Sequence, residues 1–173
     1  MKAENPSLLY PLVPAPQGFR PAGRVLSANF SQPPTLRKRR YTGRRLEGVR
    51  YEKKVHAYLE EFYGERYVAS PWLRFFTEGV WRWCQPDAIL IDLEHGRITI
   101  VEIKYQFTSD AWWQVKHLYE PVLRVMFPAA LWCFDHCQVV KWYDPATPFP
   151  EPVVLAHEVS MVHPKFKVHI YRP

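Results

Sequence analysis

Three observations predict an α/β (α+β) fold, a central mixed sheet flanked by helices and reached through an extended, proline-rich basic arm. Seven prolines fall within residues 1–35, an amphipathic helical pattern covers Arg45–Tyr63, and apolar β-branched runs then alternate with a second helical segment. The chain has 173 residues, 47% hydrophobic and 16% aromatic, which suits one domain and rules out a disordered or fibrous protein. No stretch approaches the ~20 apolar residues needed to cross a bilayer. Met1 to Tyr10 lacks the unbroken apolar core of a secretory signal, and three cysteines cannot all pair with one another. A reducing, cytoplasmic setting with no membrane partner is therefore expected.

Each element has a local reason. Pro6, Pro11, Pro14, Pro16, Pro21, Pro33 and Pro34 fix φ and remove backbone donors. Residues 1–40 thus read as an arm with no long helix or central strand, docked through Leu8, Leu9, Tyr10, Leu12 and Val13. The globular domain is expected over residues 41–173. Within Arg45–Tyr63, the positions Val49, Glu52, Val55, His56, Leu59 and Phe62 recur at helical spacing, and Gly64 supplies the stop. Tyr67–Phe76 and Val80–Asp92 read as strands, and Glu94-His95-Gly96-Arg97 as a tight turn. Ile98–Gln106 is the clearest strand. Ser109 or Asp110 caps a second helix from Ala111 to about Glu120, where Pro121 kinks it or starts a new turn before Pro128. Ala130–Phe134, Gln138–Tyr143, Val153–Val159 and Lys167–Tyr171 read as later strands.

The net charge of +6 is unevenly spread. Residues 1–54 hold 12 Lys/Arg and 3 acids, or +9, whereas the remainder holds 11 basic and 14 acidic side chains, or −3. A single-sign cluster such as Arg37-Lys38-Arg39-Arg40 is the footprint of phosphate-backbone contact, or else a solvated run. Tyr41, Arg44, Arg45 and Lys53 continue it into the first helix.

Asp87 and Glu102 interrupt apolar strands, with Lys104 two residues beyond Glu102. Buried charge is costly unless paired or bound to metal. With His95-Gly96 as a two-residue loop, paired residue numbers sum to 191, so Asp87 lies opposite Lys104 and Ile89 opposite Glu102. All three side chains then share one face; a one-residue slip would separate the acids. Two carboxylates and a lysine suit a hard cation such as Mg²⁺, which is held by one or two carboxylates plus waters and phosphate oxygens. The same residues also suit a structural Asp–Lys–Glu salt-bridge network. Spacing and burial alone leave both readings open.

At these residues the sequence resembles the PD-(D/E)xK nuclease superfamily, which has a restriction-endonuclease-like fold. Pro86-Asp87 matches the first half of its signature and Glu102-Ile103-Lys104 the second. Gly48-Val49-Arg50-Tyr51-Glu52 resembles the glutamate setting on the preceding helix, and Gln114 the glutamine of RecB-like and phage exonuclease branches. The resemblance covers about residues 43–127. It implies a Mg²⁺- or Mn²⁺-dependent deoxyribonuclease. Asp87, Glu102 and the Ile103 backbone carbonyl would ligate metal, and Lys104 would position the attacking water or offset developing charge. Glu52 would bind a second metal or hold a metal-bound water, and Gln114 would steady Lys104 or a phosphate. DNA, double-stranded or branched, is the implied partner, with a recruiting protein or a homodimer as further options. A compact nuclease of this kind suits phage or mobile-element DNA end processing, branch processing or genome packaging, by analogy. The alternative is a DNA-binding or assembly protein that keeps the fold without turnover.

Cys133 and Cys137 lack the spacing and the second pair of a structural zinc site and read as core cysteines. Trp112 and Trp113 open the second helix; core packing is the ordinary reading of a tryptophan, and Trp112 is the candidate for stacking on a base instead. Trp72, Trp81, Trp83, Trp132 and Trp142 read as core or interface packing.

Overall fold

The computed structural model describes residues 14–32, 35, 41–106, 108 and 110–141, together with the backbone of 166–171. It is a mixed α/β molecule with two sheets. The larger sheet holds β2 (Tyr67–Ala69), β5 (Ala88–Asp92), β6 (Arg97–Lys104), β7 (Cys133–Lys141) and β8 (Phe166–Tyr171), in that spatial order. The first three are antiparallel neighbours, whereas β6, β7 and β8 run parallel. The smaller sheet, ordered β1-β3-β4, is built from β1 (Val25–Phe30), β3 (Leu73–Thr77) and β4 (Val80–Cys84).

A helix covers each face of the larger sheet. On one face, α1 (Gly43–Tyr63) buries Tyr51, Val55 and Leu59 against Ala88, Val101 and Ile103. On the other lie α2 (Asp110–Gln114), a π-helical turn (Val115–Tyr119) and α3 (Glu120–Met126), whose Trp112, Val115, Tyr119, Val122 and Leu123 pack on Ile89, Ile98 and Ile100. The period-2 alternation of β6 sends its apolar residues to both layers, which is why the strand reads as a continuous apolar run.

Several boundaries depart from the sequence expectation, and each has a physical cause. The expected strands Tyr67–Phe76 and Val80–Asp92 are each broken in two, at Ser70-Pro71 and Gln85-Pro86, since proline cannot donate to a ladder. The pieces between, β3 and β4, leave to form the second sheet. Conversely, the expected strands Ala130–Phe134 and Gln138–Tyr143 prove to be the single strand β7, with Ala130 and Leu131 in the turn before it. Two of its polar side chains find neighbours on other elements: Arg97 donates to Asp135 at 2.8 Å, and His136 Nε2 lies 2.6 Å from a Glu120 oxygen, whereas the fully buried Gln138 amide has no partner among the described residues.

The arm is partly folded into the domain. Val25–Phe30 is an edge strand paired to β3, Ala22 is fully buried, and Arg82 donates to the Pro21 carbonyl at 2.8 Å. Pro121 helps to hold it. Lacking an N–H, Pro121 cannot donate to the His117 carbonyl four residues back, and the Ala22 N–H takes that acceptor at 2.8 Å. Residues from Pro21 to Phe30, well before Tyr41, therefore pack as part of the folded domain. The expected docking residues Leu8 to Val13, the cluster Arg37–Arg40, Trp142 and the expected strand Val153–Val159 lie outside the described residues. Among the described residues, no helix is long and apolar enough to cross a membrane.

Candidate functional site

The hairpin that carries the acids has a four-residue loop, Leu93–Gly96, rather than the expected two, so paired numbers sum to 189. Asp87 then falls opposite Glu102, not Lys104. A two-residue shift leaves every side chain on its face, so the predicted grouping survives the register error. Pro86 falls opposite Ile103, and a proline has no N–H to offer the Ile103 carbonyl. The Asp87 carboxylate meets the other half of that missing pair, its Oδ2 accepting the Ile103 N–H at 2.6 Å. Since N–H and C=O of one strand residue point to the same side, the Ile103 carbonyl is directed toward Asp87.

Glu102 is 2% exposed. One of its oxygens accepts from Lys104 Nζ at 2.6 Å, and the other, Oε2, is buried with no hydrogen-bond partner among the described residues. Burial, reinforced by the Asp87 charge, pushes the Glu102 carboxyl up to about 8 despite Lys104. Burial likewise pushes Asp87 up to about 6, against the pull of the Ile103 N–H and Lys104. For Lys104, burial acts downward, but the Glu102 carboxylate outweighs it and holds the ammonium above its ordinary value. Two crowded carboxyls and one lysine amount to a local shortage of positive charge.

Three hard oxygen donors belong to this corner of the sheet: Glu102 Oε2, the Asp87 carboxylate and the Ile103 carbonyl. That set fits Mg²⁺ or Mn²⁺, which complete their shells with water and substrate phosphate. Among the described residues no three His, Cys, Asp or Glu side chains group closely enough to hold a metal by themselves. Glu52 stands off accordingly. Its side chain is 37% exposed, with Oε1 3.6 Å from His56 Nε2, although its charge still reaches Asp87 and raises it.

Beyond Lys104 the sheet opens into a pocket of about 290 Å³, lined by Lys104, Thr108, Asp110, Gln114 and the arm's turn from Pro16 to Phe19. Gln114 Oε1 is buried without a partner among the described residues. Lys104 and Gln114 thus line one pocket. The arm's wall was not anticipated, because nothing in Pro16-Gln17-Gly18-Phe19 marks it as part of a site; Phe19 is held edge-on to Trp113 at 6.0 Å. His56 was also missed as a neighbour of the site. It lies 2.7 Å from the Tyr67 hydroxyl, and its i,i+4 spacing from Glu52 was the available signal.

No family model, curated protein or solved structure matches this chain. The geometry stands by itself.

Two expectations are corrected. Trp112 is 2% exposed within the core beneath the helix, packed edge-on to Trp113 and His117, so it has no face to offer a base. Cys137 is buried as expected, but Cys133 is exposed. Trp81 and Trp83 are also outward-facing, at 45% and 36% exposure, with the Arg74 guanidinium 4.4 Å from the Trp81 ring. Tyr41, Arg44, Arg45 and Lys53 are exposed on or just before α1.

Proposed function

We propose that the chain is a divalent-metal-dependent deoxyribonuclease with a restriction-endonuclease-like core, in which Asp87, Glu102 and the Ile103 carbonyl hold the cation. The observation that carries this reading is the buried Glu102, one oxygen on Lys104 and the other without a partner among the described residues, beside Asp87 just before the neighbouring strand. A sheet with a helix on each face, and a helical crossover between its parallel strands β6 and β7, supports the fold assignment.

The bound cation supplies Lewis acidity toward the phosphate and a water of lowered pKa. The chain's own residues do the rest. Lys104 stays protonated beside Glu102, where it orients the attacking water or offsets charge on the phosphate oxygens. Gln114, in the same pocket, steadies the phosphate or Lys104. Glu52, held near His56 and part-exposed, retains a water at the edge of the site instead of ligating directly. Tyr119 keeps its proton, since burial and the Glu102 charge raise it well above its usual value. The exposed Tyr41, Arg44, Arg45 and Lys53, with Arg37–Arg40, would grip the backbone that the acidic body repels. We place the activity in the cytoplasm.

Digestion of labelled linear, nicked, branched and single-stranded DNA with Mg²⁺ or Mn²⁺ tests the reading. Cleavage by the wild type and none by Asp87→Asn is expected. If every substrate stays intact in both metals, the enzyme reading fails. The second reading, a DNA-binding protein without turnover, draws on the exposed Tyr41, Arg44, Arg45 and Lys53, and that result would leave it standing.

A further inference from the structure

A second pocket of about 250 Å³ opens on the opposite face of the sheet from Lys104, lined by Glu47, Arg50, Tyr51, Lys54, Tyr105 and Lys141. Its position follows from strand geometry. Lys104 and Tyr105 are consecutive, and successive residues of an extended chain point to opposite faces. Lys104 thus faces the candidate metal site while Tyr105 faces α1, where Tyr51 meets it edge-on at 6.0 Å. On the helix, Glu47, Arg50, Tyr51 and Lys54 fall on one stripe, and Glu52 lies off it, 3.6 Å from His56, with its charge acting on Asp87. From the third side comes Lys141 at the end of β7, its ammonium 4.9 Å from the Tyr105 ring centre and 3.5 Å from the Tyr105 hydroxyl. The pocket therefore lies outside the carboxyl ends of the parallel strands β6 and β7, where open α/β sheets receive ligands.

Its chemistry is that of an anion site. Three cations from two separate elements converge on it against one acid, Glu47, and tyrosine hydroxyls add neutral donors. The arginine fork and lysine point charges match the oxygens of a phosphate. We infer that this pocket is a phosphate subsite, in which Arg50, Lys54 and Lys141 hold a backbone phosphate of a nucleic-acid strand near the one presented to Asp87, Glu102 and Lys104. The identity of the strand rests on the nuclease reading; the phosphate chemistry does not. Such a subsite anchors the strand by a group the reaction leaves alone, so it governs binding and register but not the bond-breaking step.

The test is strand binding without metal, by fluorescence anisotropy of short labelled oligodeoxynucleotides in EDTA over a series of salt concentrations. The double variant Arg50→Gln/Lys54→Gln, with both changes on the exposed side of α1, is expected to bind about tenfold more weakly. Its plot of log affinity against log salt should be flatter by about one phosphate contact. Lys141→Gln, from a different element, should move both quantities in the same direction, and Arg66→Gln, a charge-matched change elsewhere, should move neither. Inorganic phosphate should compete with the strand on the wild type and less on the double variant. Unchanged affinity and salt slope in both pocket variants, with unchanged melting, would overturn the proposal. Inorganic phosphate binding as tightly as the strand would overturn the strand as occupant. Because no metal is present, absence of cleavage cannot cause either result, and a nuclease whose pocket variants bind normally would refute the subsite alone.

Discussion

Replacing Glu102 by Gln separates a metal site from a structural ion pair. The wild-type carboxyl is 2% exposed, has one oxygen on Lys104 and the other without a partner among the described residues, and is pushed up to about 8 by burial and by Asp87. A folded-state carboxyl raised above its ordinary 4.5 contributes stability below that value. The contribution is lost as pH rises through about 8. In the metal-free protein, Glu102→Gln keeps the shape and removes the buried charge. Lys104, at 26% side-chain exposure, can turn to water. The variant should therefore melt no lower than wild type above about pH 8, and stabilisation of about 1–2 kcal/mol is in range. Metal reverses the order. Mn²⁺ at a hundred times its dissociation constant adds about 2.7 kcal/mol to the wild type, or about 5–11 °C for a chain of this size. The ligand must lose its proton to bind, so affinity should rise up to about tenfold per pH unit below pH 8. Thermal melts with and without Mn²⁺ near pH 6 and pH 8.5 read all of this. A wild type indifferent to Mn²⁺ at both pH values, or Glu102→Gln gaining as much as wild type, would refute the reasoning.

Four further outcomes follow from the scaffold. Glu120 is buried against Lys116, Arg124 and His136 at 2.9, 2.6 and 2.6 Å; Glu120→Ala should cost about 3 kcal/mol in urea melts, the low end for a broken buried pair because Lys116 and Arg124 are part-exposed. Burial acts to raise that carboxyl, but His136 and Lys116 hold it at about 2, so its contribution is present above its ordinary 4.5 and lost as pH falls toward 2; an acid limb identical in Glu120→Gln would contradict this. Pro121→Ala restores an N–H that competes for the His117 carbonyl, so the Ala22 amide should exchange faster in hydrogen exchange, and unchanged protection would sink the account of arm docking. Gly96→Ala should destabilise by about 1–3 kcal/mol in the same urea melts, because φ is +56° and the new Cβ would meet the Leu131 carbonyl oxygen at 2.7 Å; a neutral result would contradict the turn geometry.

What the sequence disclosed was set by how far each signal depended on the chain alone. Helix α1 and strand β6 carry their own periodicity and were legible. The grouping of Asp87, Glu102 and Lys104 was legible because it depends on parity, which a loop two residues longer preserves. The register itself was not, since a Gly in the turn permits both loop lengths. Strand β1 stayed hidden because only Val25 and Ala28 in it are even part-buried and its partner is β3, more than forty residues on. Strand β7 looked interrupted because Asp135 and His136 draw their partners from β6 and α3. Trp112 was misread because tryptophan near a site and tryptophan under a site have the same sequence. The pocket of Arg50, Lys54 and Lys141 joins residues almost ninety positions apart, and no local pattern links them.

The central claim is that Glu102, Asp87 and Lys104 are arranged to break phosphodiester bonds and not merely to satisfy one another. The most direct measurement is the initial rate of cleavage of a labelled DNA substrate in Mn²⁺ by wild type, Glu102→Gln and Lys104→Met, with DNA affinity measured alongside. The account predicts cleavage by the wild type that EDTA abolishes, a fall of about a hundredfold or more in each variant, and DNA affinity within a few-fold of wild type. A variant that cuts at the wild-type rate, or one whose lost cleavage only mirrors lost DNA binding, would contradict it.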